Sequence, residues 1–294
     1  MEWITIKTRI ENGDIYAVIS NHGAELLNLV LKKDDIEYLW SAQPDIWARH
    51  APVLFPIVGK LKNNRYKVGN QNYEMFQHGF ARDMEFEQIQ RNRDKVCYRL
   101  ASSDDTLLKY PYKFQLDIVY SLQANSISCR YSVKNIDSLC SYFSIGAHPG
   151  FNCPLLPGET IEDYYLEFEK TETAERYWLK KGLVVRRTDY LENEKEIALS
   201  TQLFNEDALI FKNLASTRIG LKSKRTEKSV TVDYTGFPYL GIWSKPGGAP
   251  FICIEPWYGI TDNSEATGQL TDKEGILALE PGQEFTCEFK IIIT

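Results

Sequence analysis

Alternation of apolar and polar residues is the feature that most limits the folds available to this chain. Apolar side chains occupy every second position in residues 114–122, 126–134 and 285–291. A period of two places these side chains on one face of a β-strand, and the residues involved are mainly aromatic or β-branched, as strands favour. Shorter runs of this kind lie at residues 2–7, 15–19, 25–31, 96–100, 164–168, 229–234 and 251–255. The sequence therefore predicts an all-β fold.

Turn residues separate the predicted strands. Asn12-Gly13-Asp14 and Gly69-Asn70 each indicate a hairpin, because Asn and Gly tolerate the positive φ angles of tight turns. Residues 103–108 and 262–269 each predict one short helical turn, and no pattern supports a longer amphipathic helix, which disfavours α/β folds. Without a linker-like segment or an internal repeat, the 294 residues predict one domain, residues 1–294, built as a large antiparallel β-sandwich.

Charge and composition exclude several classes of partner. The chain has 34 basic and 40 acidic side chains, a formal charge of −6, which is unsuited to binding nucleic acid non-specifically. We expect no membrane span, because no apolar stretch approaches the roughly 18–20 residues it requires. We also expect no signal peptide, a cytoplasmic location and reduced cysteines. The six cysteines are Cys97, Cys129, Cys140, Cys153, Cys253 and Cys287.

A loop after the predicted strand 73–76 brings a histidine and an arginine close together. It reads QHGFAR over residues 77–82, and its glycine allows a sharp turn. His78 and Arg82 can therefore face one cleft. An ordinary surface loop fits equally well, with His78 capping a backbone carbonyl and Arg82 paired with Asp83 or Glu85. The residues alone leave both interpretations open.

A second segment holds a histidine rigidly at the end of a strand. It reads SIGAHPGF over residues 144–151, where Pro149 fixes φ directly after His148. A histidine with an ordinary pKa near 6.5 suits proton transfer near neutrality. The alternative is a simple turn in which a neighbouring group satisfies His148.

A third segment ends an apolar strand on a lone carboxylate. It reads FICIEPWYG over residues 251–259, with Glu255 followed by proline and two aromatic residues. Apolar surroundings raise the pKa of a carboxyl toward the working range of a general base, and aromatic rings suit the apolar faces of a sugar. The alternative is an ordinary glutamate paired with Lys or Arg.

Several other kinds of site lack their motifs. The chain contains no GxGxxG, Walker A or GxSxG pattern, so it predicts neither a nucleotide site nor a serine-hydrolase elbow. The four histidines never occur as HxH or HxxxH. We therefore expect no metal and no other cofactor.

Five segments, taken together, resemble one protein family. HGFAR at 78–82, IGAHPGF at 145–151 and CIEPWYGITD at 253–262 look like signatures of the aldose 1-epimerase (galactose mutarotase) family, in particular its LacX-like branch. APVLFPIVGK at 51–60 resembles the entrance strand of that branch, and FNEDALIF at 204–211 resembles its acidic substrate-binding segment. The similarity extends from the first predicted strand to the last.

The resemblance implies a galactose mutarotase-like β-sandwich with a sugar cleft on one concave face. It implies that Glu255 is the general base, that His148 is the general acid and that His78 contacts the sugar ring. The reaction it implies is interconversion of the α and β anomers of an aldose by ring opening, rotation about C1–C2 and reclosure, without metal, nucleotide or redox centre.

The resemblance also implies substrate-binding residues. Asp207 matches a carboxylate that binds sugar hydroxyls, and Arg82 resembles a ligand-binding arginine of the hexose 6-phosphate mutarotases. Lys60 and Trp243 are further expected cleft residues. The partner would be a small-molecule sugar, and the protein a monomer or a homodimer.

The identity of the sugar stays open, because galactose mutarotases have a longer glycine-rich form of the short HGFAR segment. Arg82, helped by Lys60, Lys62 or Arg49, could instead receive a sugar phosphate. Two other functions compete with epimerisation. One is a non-catalytic carbohydrate-binding protein on the same fold, and the other is a glycoside hydrolase or lyase. A hydrolase would need two carboxylates, of which Glu255 has a suitable setting and Asp207 is a distant second.

Overall fold

The computed structural model describes residues 6–294, and its secondary structure is mostly β-strand. Strands account for 52% of the structure and helical turns for 6%, which confirms the all-β prediction. In chain order, the first strands are β1 (Lys7–Glu11), β2 (Ile15–Ser20), β3 (Leu26–Leu31), β4 (Ile36–Glu37), β5 (Val53–Leu54), β6 (Arg65–Val68), β7 (Gln71–Glu74), β8 (Glu87–Arg91), β9 (Lys95–Ala101), β10 (Phe114–Gln123) and β11 (Ser126–Asn135). They continue with β12 (Ser141–Phe143), β13 (Ile145–Ala147), β14 (Gly150–Asn152), β15 (Tyr164–Lys180), β16 (Leu183–Ala198), β17 (Leu209–Lys212), β18 (Arg218–Ser223), β19 (Ser229–Asp233), β20 (Tyr239–Trp243), β21 (Phe251–Tyr258), β22 (Leu277–Leu279) and β23 (Glu284–Ile293). Residues 2–5 of the first predicted strand lie outside the described residues.

Helical structure is confined to short turns. The turn α1 (Asp104–Leu107) begins where the sequence predicts it, because Ser103 and Thr106 bond to each other's backbone N–H groups in a capping box. Single 3₁₀ turns occupy Lys62–Asn64, Ala81–Asp83, Ile161–Asp163 and Leu270–Asp272. Among residues 6–294, no helix combines the length and apolar character needed to cross a membrane.

The helical turn predicted for residues 262–269 is wrong. This segment is irregular, and a 3₁₀ turn follows it at Leu270–Asp272. Asp262 accepts hydrogen bonds from the Lys62 backbone N–H and the Lys273 ammonium, while Asn263 bridges to Val184. These bonds to other parts of the chain replace the backbone hydrogen bonds that a helix would need.

Two large sheets enclose the core. One has nine strands in the order β16-β15-β18-β19-β23-β11-β10-β9-β8, and the other has six, with β17-β20-β21-β13-β5 in line and β14 beside β21. The β10 side chains predicted to point inward, from Phe114 to Leu122, are buried at every second position. One hydrophobic cluster joins these residues to Ile252 and Ile254 of β21. This packing of antiparallel sheets confirms the sandwich.

Smaller sheets complete the structure. β1–β4 form a four-stranded sheet, and both hairpins predicted from the turn residues are present, because β1 pairs with β2 and β6 pairs with β7. The pair β12–β22 is the remaining small sheet. All six cysteines are free, as the sequence predicts.

Strands β15 and β16 form a long hairpin. The sequence pattern predicts only its first residues, 164–168, and the remainder is the largest element that the sequence does not predict. The two strands have 17 and 16 residues, but only the start of β15 pairs with β18. The rest of the hairpin extends beyond β18 as a two-stranded ribbon, with several register shifts between its strands. Its tip reaches the loop after β21, where Val184 exchanges backbone bonds with Asp262 and Ser264. The hairpin thereby connects the large sheet to the loop that follows a central strand of the second sheet.

Candidate active site

Strand β21 places Glu255 in the interior of the molecule. Its side chains alternate, so that Ile252 and Ile254 join the main core while Glu255 and Trp257 share the opposite face. Glu255 is only 2% exposed. Glu255 faces Gly241 across the strand pair, and a Cβ on Gly241 would lie 2.4 Å from the Trp257 ring. The missing side chain therefore gives the aromatic ring its place beside the carboxyl.

His148 meets Glu255 from the neighbouring strand. β13 pairs with β21 and ends at Ala147, so His148 comes directly after the strand. Its Nε2 lies 3.2 Å from Glu255 Oε2. The contact is not aligned as a hydrogen bond, and Glu255 Oε2 has no other partner within residues 6–294.

Aromatic rings fix the orientation of the His148 imidazole. Trp47 stacks on it with ring centroids 4.9 Å apart, and Trp243 meets it edge-on at 5.8 Å. His78 approaches from a third side at 5.5 Å, also edge-on. Such contacts give the ring a defined position that surrounding apolar surface alone would not give.

The loop after β7 brings His78 and Arg82 to the same place. His78 Nδ1 accepts a hydrogen bond from the Gly59 backbone N–H at 3.2 Å, and its Nε2 lies 3.1 Å from the side-chain amide nitrogen of Gln77. Arg82 donates to the Gln77 carbonyl oxygen at 2.8 Å, while its Nε has no hydrogen bond among the described residues and lies 3.8 Å from Asp83 Oδ2. Both side chains line one cavity, as the first of the two interpretations predicts, and Arg82 also lies near Asp83, as the second predicts.

A cavity of about 330 Å³ joins these groups. Its size lies in the range of small-molecule sites. Six of the seven site residues predicted from the sequence line it, namely His78, Arg82, His148, Asp207, Trp243 and Glu255. The sequence pattern alone could not bring them together, because they come from five separate parts of the chain.

Lys60 is the predicted site residue that does not line the cavity. Its ammonium donates to the Lys181 carbonyl oxygen at 3.3 Å, and its stem passes behind Gly182 in the cavity wall. The other two cations considered for a phosphate are also directed elsewhere. Arg49 pairs with Asp83, and Lys62 donates to the Ala266 carbonyl oxygen.

Burial controls the charge of the groups in the cavity. It raises the pKa of Glu255 well above the usual carboxyl range, and the negative charge of Asp207 raises it further. Burial also lowers the pKa of His148 to about 3, with a smaller contribution from the Arg82 guanidinium. Burial also lowers the pKa of His78 well below its usual value, and the nearby His148 and Arg82 lower it further. In the free protein these shifts favour an uncharged carboxyl and two uncharged imidazoles at neutral pH.

Some cavity residues are not identified as site residues by the sequence analysis. Trp47 comes from an irregular segment with no recognisable signal, and Leu179 and Gly182 belong to the long β15–β16 hairpin. Trp257 lies two residues after Glu255 in the third motif. Of these four residues, it is the one whose sequence context, an aromatic residue beside the carboxylate, indicates a place in the site.

One group of side chains in this region could hold a metal ion. Ligand atoms of His148, Cys253 and Glu255 all lie within 4.8 Å of one another, and all three residues are buried. The donor set would suit zinc. Burial raises the pKa of the Cys253 thiol well above its usual value, so the thiolate that zinc requires is disfavoured.

Known proteins with a similar sequence and fold support the family assignment. The profile of the family described as aldose 1-epimerase matches residues 7–275. The chromosomal LacX protein of Lactococcus lactis is 37% identical over 266 residues, which cover 87% of this chain and 89% of that protein.

Two solved structures extend the similarity to the fold. A galactose mutarotase related enzyme from Lactobacillus acidophilus has a TM-score of 0.95 and 37% identity, covering 98% of this chain and 97% of its own. A galactose mutarotase-like protein from Lactobacillus casei has a TM-score of 0.91 and 32% identity, covering 98% of this chain and 100% of its own. The agreement of profile, sequence and fold has one consequence: the chain belongs to the aldose 1-epimerase family.

Proposed function

We propose that this protein is an aldose 1-epimerase, an isomerase that interconverts the α and β anomers of a hexose by general acid–base catalysis. The observation that carries the proposal is the 3.2 Å contact between Glu255 and His148 inside a cavity walled by tryptophans. A protein that only bound sugar would not need a carboxyl and an imidazole in mutual contact. Anomer exchange needs both, because one proton leaves the C1 hydroxyl while another reaches the ring oxygen.

The reaction follows from the roles of these two groups. The Glu255 carboxylate removes the proton of the C1 hydroxyl as the His148 imidazolium protonates the ring oxygen. The C1–O5 bond breaks, C1 becomes an aldehyde, and rotation about C1–C2 presents its other face. Reclosure reverses both transfers and forms the other anomer. Positioned acid–base catalysis of this kind contributes roughly 10²–10⁴-fold in rate.

The remaining lining residues suit the hydroxyl-rich edge and the apolar faces of a sugar ring. Asp207 and Arg82 offer charged hydrogen-bonding groups, and His78 offers a neutral ring nitrogen. Trp47 and Trp243 provide the apolar faces. We propose that these residues bind and orient the hexose.

The charges in the cavity favour a hexose without a phosphate group. Arg82 is the one cationic side chain in the lining of the described part of the chain, and Asp207 contributes an opposing carboxylate. A phosphate monoester carries about −1.5 to −2 charges at pH 7. One guanidinium offset by a carboxylate leaves most of that charge unmatched.

The test is two-dimensional NMR exchange on a panel of free hexoses and hexose 6-phosphates, which measures the anomer exchange rate at equilibrium. We expect faster exchange with at least one free hexose and smaller acceleration with its 6-phosphate. Preference for the phosphate would overturn the substrate assignment. Binding of a sugar without acceleration would point to the non-catalytic binding protein, and cleavage of a glycoside would point to a hydrolase.

Matched substitutions test the two catalytic roles. Glu255→Gln keeps the side-chain size and His148→Asn keeps a neutral polar side chain, and each should lower the exchange rate roughly 10²–10⁴-fold while circular dichroism stays unchanged. Glu194→Gln on the exposed strand β16 and His22→Asn beside Glu85 are the corresponding controls, and both should keep the wild-type rate. A folded Glu255→Gln or His148→Asn variant with near wild-type exchange would refute the assignment.

A further inference from the structure

A buried arginine lies behind the turn that carries Asp207. Arg176 belongs to the part of β15 that extends beyond β18, and it is only 3% exposed. Its terminal Nη2 donates to three consecutive backbone carbonyls, those of Glu206 at 2.8 Å and of Asp207 and Ala208 at 3.2 Å each. One guanidinium nitrogen thus holds the whole turn.

Aromatic side chains hold the guanidinium in place. Arg176 lies over the Trp178 ring at 3.9 Å and near the Tyr190 ring at 5.4 Å. These rings come from both strands of the β15–β16 hairpin. Stacked contacts restrict the rotamers of a long side chain, so its hydrogen bonds form with a smaller loss of conformational entropy.

The turn itself has a conformation that needs support. Asp207 has a φ of +68°, in the left-handed region that residues other than glycine seldom occupy. Its Oδ1 accepts the Ala208 backbone N–H at 2.8 Å, which orients the carboxylate at the cavity. The same backbone conformation directs three consecutive carbonyl groups toward Arg176, which donates a hydrogen bond to each of them.

We propose that Arg176 is the positioning residue that holds the Asp207 carboxylate in the sugar-binding cavity. This inference rests on the proposed function, because it assigns Asp207 a part in binding the hexose. Arg176 does not line the cavity, so it acts through the backbone of the turn and touches no substrate. The long hairpin thereby sets the geometry of a site that belongs mostly to the other sheet.

A double-mutant cycle separates positioning from a general structural role. The variants are Arg176→Met, Asp207→Ala and the combination of both, and the measurement is kcat/KM for anomer exchange of the preferred hexose. Loss of a charged hydrogen bond to substrate costs roughly ten- to hundredfold in kcat/KM. We expect a loss of this size from either single change, mainly through KM, and no more than about threefold additional loss in the combination.

Two more variants complete the design. Arg186→Met is the matched control, because Arg186 lies over the same Trp178 ring at 4.7 Å but is exposed and bonds to none of the three carbonyls. It should stay within about threefold of wild type. Arg176→Lys keeps a charged donor and should recover part of the activity lost in Arg176→Met. It replaces that variant in the cycle if Arg176→Met does not fold.

The outcomes distinguish this inference from the proposed function. Losses that multiply in the combined variant, or full activity in Arg176→Met beside an impaired Asp207→Ala, would overturn the positioning role. If wild type binds a hexose but accelerates no anomer exchange, catalysis is refuted, and the same cycle is measured as Kd by tryptophan fluorescence. Non-additive Kd values would still support positioning, and additive ones would refute it. A wild-type protein that neither turns over nor binds any hexose of the panel would overturn both proposals.

Discussion

The buried imidazole of His148 makes the stability of the protein depend on pH. Burial lowers the pKa of His148 to about 3, from the ordinary value of 6.5 that applies to the unfolded chain. Between these two values the unfolded chain binds a proton that the folded protein does not bind. Stability is therefore lost as the pH falls. This penalty is absent above about pH 6.5 and complete below about pH 3.

The size of the effect follows from the width of this interval. Each pH unit within it lowers the free energy of unfolding by about 1.4 kcal/mol. The penalty reaches about 3 kcal/mol at pH 4.5 and about 5 kcal/mol at pH 3. In His148→Gln the side chain takes up no proton, so the part of the pH-dependent stability loss that is due to His148 disappears. His78 and Glu255 are present in both proteins, and their contributions largely cancel in the comparison.

Urea unfolding at a series of pH values measures this difference. Going from pH 7 to pH 4.5, the free energy of unfolding of wild type should fall by about 3 kcal/mol more than that of His148→Gln. His22→Gln is the control, because it removes a partly exposed histidine and keeps the buried imidazole of His148. It should follow the wild-type curve. Parallel curves for wild type and His148→Gln would show that the imidazole is solvated enough to bind its proton, contrary to the reasoning.

Other features of the site give more direct tests. Trp47→Ala removes the ring stacked on His148 and should raise KM roughly tenfold, whereas an unchanged KM would show that the sugar does not use this wall. Gly79→Ala would place a Cβ 2.2 Å from the Phe55 carbonyl oxygen at a φ of +72°, so urea unfolding should show a loss of about 2–4 kcal/mol, and wild-type stability would contradict the geometry. EDTA should leave the exchange rate unchanged, while inactivation reversed by Zn²⁺ would assign a metal to the cluster around Cys253. The rate should stay flat as the pH falls through 6.5, because the pKa of His148 is lowered to about 3, and a decline centred at 6.5 would contradict an acid–base pair buried in this way.

The sandwich could be predicted because its central strands are buried on one face. In β10, β11 and β23 the inward side chains alternate with polar ones, so a period of two is written directly into the sequence. The motif loops could be predicted for a different reason. A histidine between glycine, alanine and proline, as at His148, is held by local backbone chemistry that few residue combinations provide.

The β15–β16 hairpin could not be predicted in the same way. Most of β16 is exposed on both faces, so charged residues occupy neighbouring positions and no alternation remains. Leu179, Gly182 and Arg176 therefore reach the site or its supporting turn without a local signal. The Lys60 side chain, predicted to line the cavity, does not reach it for a related reason. Its motif fixes the backbone, but the acceptor that turns its ammonium away, the Lys181 carbonyl, belongs to this same hairpin.

The opposite pKa shifts of Glu255 and His148 are compatible with their proposed roles because the two groups are in contact. A protonated carboxyl beside a neutral imidazole and a carboxylate beside an imidazolium contain the same single proton, and they differ by its transfer across 3.2 Å. Burial favours the uncharged arrangement in the free protein. A bound sugar changes this balance, because its C1 hydroxyl donates to the carboxylate and its ring oxygen accepts from the imidazolium. The substrate thus stabilises the arrangement that reacts with it, and the pair needs no proton from solvent during the cycle.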